Sequence, residues 1–207
     1  MNGHYITIAA RELQRYLGTS FEDATEKACQ SIMRHALAAA ASATASALLP
    51  DAGALIATGV GVGFVIAMYV DVCKIFGISL KKNVLKSVAS VIVAETAAYL
   101  GVLISASIVF SLIPGIHLAD TVLCAIINFC MVYAAGYLFM RMMLNVFKAA
   151  KEKGVAPDLS EAALRQAAKS VSTKENISRA AEEGKKLYRQ AKKEYGDCSD
   201  IKPESAE

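Results

Sequence analysis

The side chains best suited to chemistry are three histidines and five cysteines, and their spacing forms no familiar site. They are His4, His35, His117, Cys29, Cys73, Cys124, Cys130 and Cys198. A structural metal site groups its ligands at short, regular intervals, such as two cysteines separated by two residues. An odd cysteine count does not indicate a disulfide framework either. We therefore expect no metal and no cofactor.

Catalytic and phosphate-binding patterns give the same expectation. No Ser/His/Asp, Cys/His or paired-carboxylate arrangement can be given a chemical role. The glycines at 59, 61 and 63 do not form a dinucleotide fingerprint, because that pattern needs a third glycine at position 64, which is Phe64. A phosphate loop of the G-x-x-x-x-G-K-[ST] kind does not occur in the sequence. We predict that the protein is not an enzyme.

The charged residues that are present avoid the middle of the chain. Of 207 residues, 55% are hydrophobic and 20% are charged, and the net charge is +3. Residues 36–140 contain only Asp51, Asp71, Lys74, Lys81, Lys82, Lys86, Glu95 and Asp120. Residues 141–207 carry 14 basic and 11 acidic residues, a mixture unlike the concentrated basic surface that nucleic-acid binding uses. Because of this mixture we expect no nucleic-acid partner. The apolar middle excludes a disordered chain.

Four stretches of the middle have almost no charge and are candidates for membrane helices. They are residues 36–49, 52–70, 96–118 and 121–140. A helix needs about 20 mostly apolar residues to cross a bilayer. The last three stretches have that length, whereas the first is shorter and rich in alanine. The sequence therefore leaves open whether the first hairpin crosses completely.

Proline-containing breaks join these stretches into two hairpins. Pro50 and Asp51 separate the first two stretches, and Pro114, Gly115 and Asp120 separate the last two. Proline ends helices, and an aspartate suits the cap of the helix that follows. We predict an all-α fold of two apolar helical hairpins, with up to four membrane-spanning helices and polar helical extensions at both termini.

The remaining charges predict contacts and orientation. Because a helix rises by a constant amount per residue, counting from each tip places Arg34 level with Asp71, and Glu95 level with Arg141. We predict an ion pair at the open end of each hairpin. The tips carry no Lys or Arg, whereas the open ends carry many. The positive-inside rule therefore predicts a protein of the cytoplasmic membrane, with both termini in the cytoplasm.

Small and polar residues predict where the helices pack. Gly59 and Gly63 lie one turn apart, a spacing that lets helices approach closely and also favours a homo-oligomer. Asn128 and Gly136 share one stripe of the last apolar helix. Asn128 is suited to a hydrogen bond between helices, and pore lining is its alternative role.

The polar ends predict further helices and set the boundaries between segments. Residues 5–17 form an amphipathic pattern that Gly18 ends. After Pro157, helices are expected from about Ser160 and from a capping box at Ser172 and Glu175. We divide the chain into an amphipathic segment 1–19, an apolar hairpin domain 20–154, soluble mixed-charge helices 155–196 and a frayed tail 197–207.

The middle of the chain resembles a known family. The motifs are Leu49-Pro50-Asp51-Ala52-Gly53, Ile75-Phe76-Gly77, Leu112-Ile113-Pro114-Gly115-Ile116 and Ala135-Gly136-Tyr137. They are similar to the YcjF-type domain of unknown function, family six-nine-seven, which often follows a small GTPase domain of the Era/HSR1 kind. The family usually has tyrosine where Phe76 stands, and no GTPase domain precedes the motifs here. The resemblance implies a membrane-associated helical module, with any GTPase supplied by another polypeptide.

Three functions remain open on the sequence. The first is a non-enzymatic membrane module that anchors or scaffolds a cytoplasmic protein partner, for which a GTPase acting in trans is one candidate. The second is an oligomeric pore or channel. The third is a soluble all-α bundle, because small residues also pack helices closely in water. The expected partners are the lipid bilayer and a protein bound through the cytoplasmic helices.

Overall fold

The computed structural model describes residues 3–18, 23–47, 53–111 and 117–195, where α-helices joined by turns and short loops are the only regular secondary structure. Side-chain surroundings are described outside residues 45–47, 53–61, 101–111 and 117–123. The helices are α1 (His4–Leu17), α2 (Ala24–Ala47), α3 (Gly53–Ile75), α4 (Lys82–Ser111), α5 (His117–Lys153), α6 (Glu161–Val171) and α7 (Lys174–Tyr195). The predicted all-α class is confirmed.

Helix α5 is the centre of the fold and contacts the six other helices. It contributes Phe129, Leu138 and Met142 to one continuous buried cluster. Tyr69 of α3 stacks on Phe139 with ring centroids 4.0 Å apart. The Tyr69 hydroxyl also donates a hydrogen bond of 3.0 Å to the carbonyl of Ala135, so this buried phenol is satisfied.

Contacts with α1 show that α2 and α5 run antiparallel. Tyr5 lies beside Tyr137, and Tyr16 lies under Lys151, so α1 is parallel to α5. Thr7 contacts Cys29 and Gln14 contacts Thr25, so α1 is antiparallel to α2. The end of α2 at Ala47 and the start of α5 at His117 therefore point in the same direction. The helix ends that border the two breaks, Ala47 and Gly53 in the first hairpin and Ser111 and His117 in the second, therefore lie at one end of the bundle, here called the tip end, and the other end is called the base.

Two helices are long and apolar enough to cross a membrane. Among the described residues, these segments are Lys82–Leu100 of α4 and Cys124–Lys153 of α5. About half of the apolar segment of α4 is buried in the fold, against 78% of the apolar segment of α5. The structure thus shows two candidate spans, and the core position of α5 explains much of its apolar sequence.

The terminal helices pack on the same core as the hairpins. Ile6 and Leu13 of α1 join the buried cluster, as do Leu164 of α6 and Ile177 and Leu187 of α7. One buried cluster includes residues from both sides of positions 20 and 154, where the sequence analysis set its segment boundaries. Stripes of Ala and Leu, rather than a long apolar run, are enough to bury these helices.

Local signals place most helix ends correctly. Gly18 ends α1 with φ of 63°, a left-handed conformation that glycine adopts without strain. Ser160 caps α6 by accepting a hydrogen bond from the Ala163 amide. The cap of α7 is Thr173, which accepts from the Asn176 amide at 3.3 Å. The hydroxyl of Ser172, the predicted cap, donates instead to the Ala168 carbonyl of α6.

Candidate functional site

An ion pair joins α2 and α3. Its members are the charged residues that lie nearest the tip end on α2 and on the described part of α3. Arg34 Nη2 lies 3.2 Å from Asp71 Oδ2, so the structure brings this predicted pair together. The same carboxylate oxygen is 3.7 Å from His35 Nε2. The His35 Nδ1–H donates to the Ser31 carbonyl at 2.8 Å, which fixes the ring orientation. This cluster marks the boundary between the apolar and polar parts of the first hairpin.

The second predicted pair is not formed. Glu95 is exposed on α4, whereas Arg141 is half-buried and faces α1. Arg141 Nη1 donates a hydrogen bond of 2.9 Å to the Tyr137 hydroxyl, and no ion pair joins it to Glu95 in the described residues. Counting residues gave the height of each charge along its helix but not the side of the bundle it faces. The rotation of α5 turns Arg141 away from α4.

A groove runs along the contact between α1 and α5. The part of the groove near the start of α1 has a volume of about 270 Å³ and is lined by Tyr5, Ile8, Glu12, Arg141, Leu144 and Lys148, among others. The part near the end of α1 has a volume of about 520 Å³ and continues past Glu12 and Lys148 to Arg15, Tyr16 and Lys151. Ile8 is 43% exposed here, which is unusual for a large apolar side chain in this structure. The groove combines cations, tyrosines and an exposed apolar residue.

A carboxylate on α7 holds the beginning of α1. Glu183 Oε1 accepts hydrogen bonds from the amides of His4 at 2.6 Å and Tyr5 at 3.3 Å. Its other oxygen accepts from the Tyr133 hydroxyl of α5 at 2.7 Å. The first amides of a helix lack partners within the helix and favour a negative charge nearby. Glu183 therefore joins α1, α5 and α7 at one point, close to one end of the α1–α5 groove.

Of the two predicted packing residues of α5, Gly136 lies at a close contact with another helix, whereas the hydrogen bond of Asn128 stays within α5. A Cβ built on Gly136 would lie 2.7 Å from Ile32 Cγ2, so α2 and α5 approach closely because position 136 has no side chain. Asn128 is buried, and its amide donates to the Cys124 carbonyl of the same helix at 3.0 Å. This bond of Asn128 is thus intrahelical, because the carbonyl four residues earlier is within reach of its short side chain.

The predicted packing residue Gly63 of α3 is exposed to solvent, and most of the predicted tip residues lie outside the residues that the structure describes. Gly63 is exposed, and a Cβ there would meet nothing within 4 Å. Pro50, Asp51, Pro114 and Gly115 lie outside the described residues. Gly59 and Asp120 lie on the helical backbones of α3 and α5, within the stretches whose side-chain surroundings are not described.

The histidines and cysteines are scattered through the described structure. No group of three His, Cys, Asp or Glu side chains that could hold a metal ion occurs in the part of the chain that is described. The pKa of the Cys29 thiol is raised, mainly by burial. Burial also raises the pKa of the Cys73 thiol, to about 12. Such thiols remain protonated at neutral pH and are poor nucleophiles.

Comparisons with known proteins returned no relative. No protein-family model matches the chain, and no curated protein or solved structure is similar to it. Function must therefore be argued from the residues and their arrangement.

Sequence reasoning missed the Glu183 junction and the α1–α5 groove. Glu183 belongs to a mixed-charge helix in which any of several carboxylates could have faced inward. One local signal was present: Gly3 precedes α1 without a side-chain cap, which leaves the first amides of the helix without a local acceptor.

Proposed function

We propose that this chain is a non-enzymatic integral membrane module whose hairpin tips enter the bilayer and whose base anchors a cytoplasmic protein. The observation that carries the proposal is that both hairpins point their nearly charge-free ends in one direction. Residues 45–61 and 101–123 contain Asp51 and Asp120 but no Lys or Arg. The lysines of residues 74–86 and 148–153 belong to the base, so only the parts of the candidate spans nearer the tip end are proposed to lie in the bilayer.

Helix lengths support insertion of the tip end. The uncharged part of α3 lies between Asp71 and the tip end at Gly53, and the uncharged part of α4 lies between Glu95 and the tip end at Ser111. At the rise of an α-helix these stretches are about 27 Å and about 24 Å long. They approach the hydrocarbon thickness of about 30 Å. The two aspartates of the tips would then reach the far headgroup region.

The basic base sets the proposed orientation. Short loops rich in Lys and Arg remain on the cytoplasmic side of a membrane. Lys81 and Lys82 lie where the α3–α4 connection joins α4, and Lys151 and Lys153 close α5. Both termini and the α3–α4 connection are therefore proposed to be cytoplasmic, in the cytoplasmic membrane.

The α1–α5 groove is the proposed surface for the protein partner. It is open, and it presents Arg141 beside tyrosines and the exposed Ile8. Arginine and tyrosine are common in the energetically important parts of protein interfaces. The resemblance to the YcjF-type domain suggests a small GTPase as the partner, supplied in trans.

Membrane extraction and cysteine labelling test this function. After replacement of the native cysteines, single cysteines are placed at Asp51, Gly115 and Ser79. We expect the protein to remain in membranes after a carbonate wash. An impermeant maleimide should label position 79 from the cytoplasmic side only, and positions 51 and 115 from the opposite side only. Recovery in the soluble fraction would support the soluble-bundle alternative, and cytoplasmic labelling of either tip would contradict the proposed topology.

An oligomeric pore is the second candidate because Gly63 is free to pack against another copy. A Cβ at this position meets nothing within 4 Å in the chain itself. Small residues at such a position allow close approach of two membrane helices. Ion flux from liposomes that contain the purified protein would favour the pore, and flux that disappears in Gly63→Leu would assign it to this face.

A further inference from the structure

A basic groove lies between α2 and α3 on the base side of the Arg34–Asp71 pair. It has a volume of about 520 Å³. Lys27, Gln30 and Arg34 line it from α2, and Asp71 and Lys74 line it from α3. These residues bring three cations and one carboxylate to a single open groove.

The charges in the groove are only partly neutralised. The Asp71 carboxylate forms an ion pair with Arg34. The Lys27 Nζ lies 3.8 Å from Oδ2 of the exposed Asp23. No salt bridge to Lys74 is found in the described residues. The lining side chains carry two net positive charges, of which that of Lys27 is shared with Asp23 outside the lining, and this balance suits an anionic ligand. Arginine and lysine together are well suited to a phosphate group.

The surface next to the groove changes from polar to apolar within one helical turn. Toward the tip from Asp71, the exposed or half-exposed positions of α3 include Val70, Ala67, Ile66, Phe64 and Gly63. Leu37 is half-buried beside them on α2. A ligand that fits both surfaces has an anionic end and a long apolar end.

We infer that the α2–α3 groove binds the headgroup phosphate of an anionic phospholipid, whose acyl chains lie along the apolar face of α3. This inference rests on the proposed function, because that function places the Arg34–Asp71 pair at the cytoplasmic headgroup level. Lys27 and Lys74 supply the charge that distinguishes an anionic lipid from a zwitterionic one. Basic residues near a membrane surface each contribute to attraction of anionic lipids.

Native mass spectrometry of the full chain in mild detergent tests the inference. The protein is titrated with phosphatidylglycerol, with phosphatidylcholine and with inorganic phosphate. We expect phosphatidylglycerol to bind about tenfold more tightly than phosphatidylcholine, and inorganic phosphate to compete only weakly. Equal binding of the two lipids would overturn the inference. Full competition by inorganic phosphate would assign the groove to a free anion instead.

A pair of charge-matched variants makes the test specific. Lys27→Gln/Lys74→Gln removes two cations from the groove, and Lys169→Gln/Lys193→Gln removes two from exposed positions on α6 and α7. The first variant should lose the preference for phosphatidylglycerol, while the second should keep it. Circular dichroism confirms that both are folded. Equal losses in the two variants would contradict a specific site.

Membrane fractionation separates this inference from the proposed function. The Lys27→Gln/Lys74→Gln variant should remain in the membrane pellet, because the tips are unchanged. If the wild-type protein sediments with membranes but shows no lipid preference, the groove assignment fails while the membrane module stands. If the wild-type protein is soluble, the proposed function itself fails.

Discussion

The carboxylate of Glu183 lies 2.6 Å from the amide nitrogen of His4, although 179 positions separate the two residues. This contact closes the fold, because it ties the first helix to the last. Tyr133 of the central helix donates to the same carboxylate. Removing the carboxylate would therefore leave two amides and a phenol without their acceptor.

We expect Glu183→Ala to lower the free energy of unfolding by about 2 kcal/mol, because charge-assisted hydrogen bonds and an acidic group at a helix N-terminus each have effects of this order. Denaturant titration followed by circular dichroism measures the change. Glu182→Ala is the matched control, because Glu182 is exposed on the same helix. Equal stability of the two variants would show that the junction does not hold α1.

Two glycine substitutions should have opposite effects. Gly136→Ala places a methyl group 2.7 Å from Ile32 Cγ2 and should destabilise the protein by about 1–3 kcal/mol. Gly63→Ala meets no atom within 4 Å and should stabilise α3 by about 0.5–1 kcal/mol, because alanine favours a helix. Thermal melting compares them.

Ile32→Ala offers a second check on the Gly136 contact. In the Gly136→Ala background it should cost less stability than in the wild type, since it removes the side chain with which the new methyl group clashes. Additive losses in the double variant would place the strain elsewhere.

The Arg34–Asp71 pair should contribute little energy despite its defined geometry. Arg34 is 51% exposed at the side chain, so solvent screens the interaction. A double-mutant cycle with Arg34→Ala and Asp71→Ala should give a coupling of about 0.5 kcal/mol. The coupling should decrease at high salt concentration. A coupling several times larger would mean that the pair is desolvated, for example by lipid.

Cys73 should make stability sensitive to alkaline pH. Cys73 is 4% exposed, and burial raises the pKa of its thiol from 9.0 to about 12. Between these values the unfolded chain loses the proton while the folded chain keeps it, so stability falls as pH rises. Below pH 9 the contribution is fully present. Unfolding curves from pH 8 to 11 should show a shallower decline in Cys73→Ala than in the wild type.

The start of α7 provides a test of capping. Thr173 accepts a hydrogen bond from the Asn176 amide, so Thr173→Ala should lower the free energy of unfolding by about 1 kcal/mol. Ser172→Ala removes only a hydrogen bond to a carbonyl of the preceding helix and should have the smaller effect. The reverse order would restore Ser172 as the cap that its capping-box pattern predicts.

The sequence alone determined the helical hairpins and their polarity. Proline-containing breaks, charge-free runs and terminal glycines act locally, so they can be recognised without the fold. The height of Arg34 and Asp71 along their helices also followed from the sequence, because the rise per residue is constant. Charge distribution likewise predicted which end of the bundle is apolar.

Only the tertiary structure decided which way the helices face and which distant segments meet. Arg141 has the predicted height but turns toward α1, since rotation about the helix axis depends on packing. Helices α6 and α7 pack on the core, because their short apolar stripes find partners on α4 and α5. Glu183 acquires its role for the same reason: a hydrogen bond between the two ends of the chain depends on how every helix between them docks.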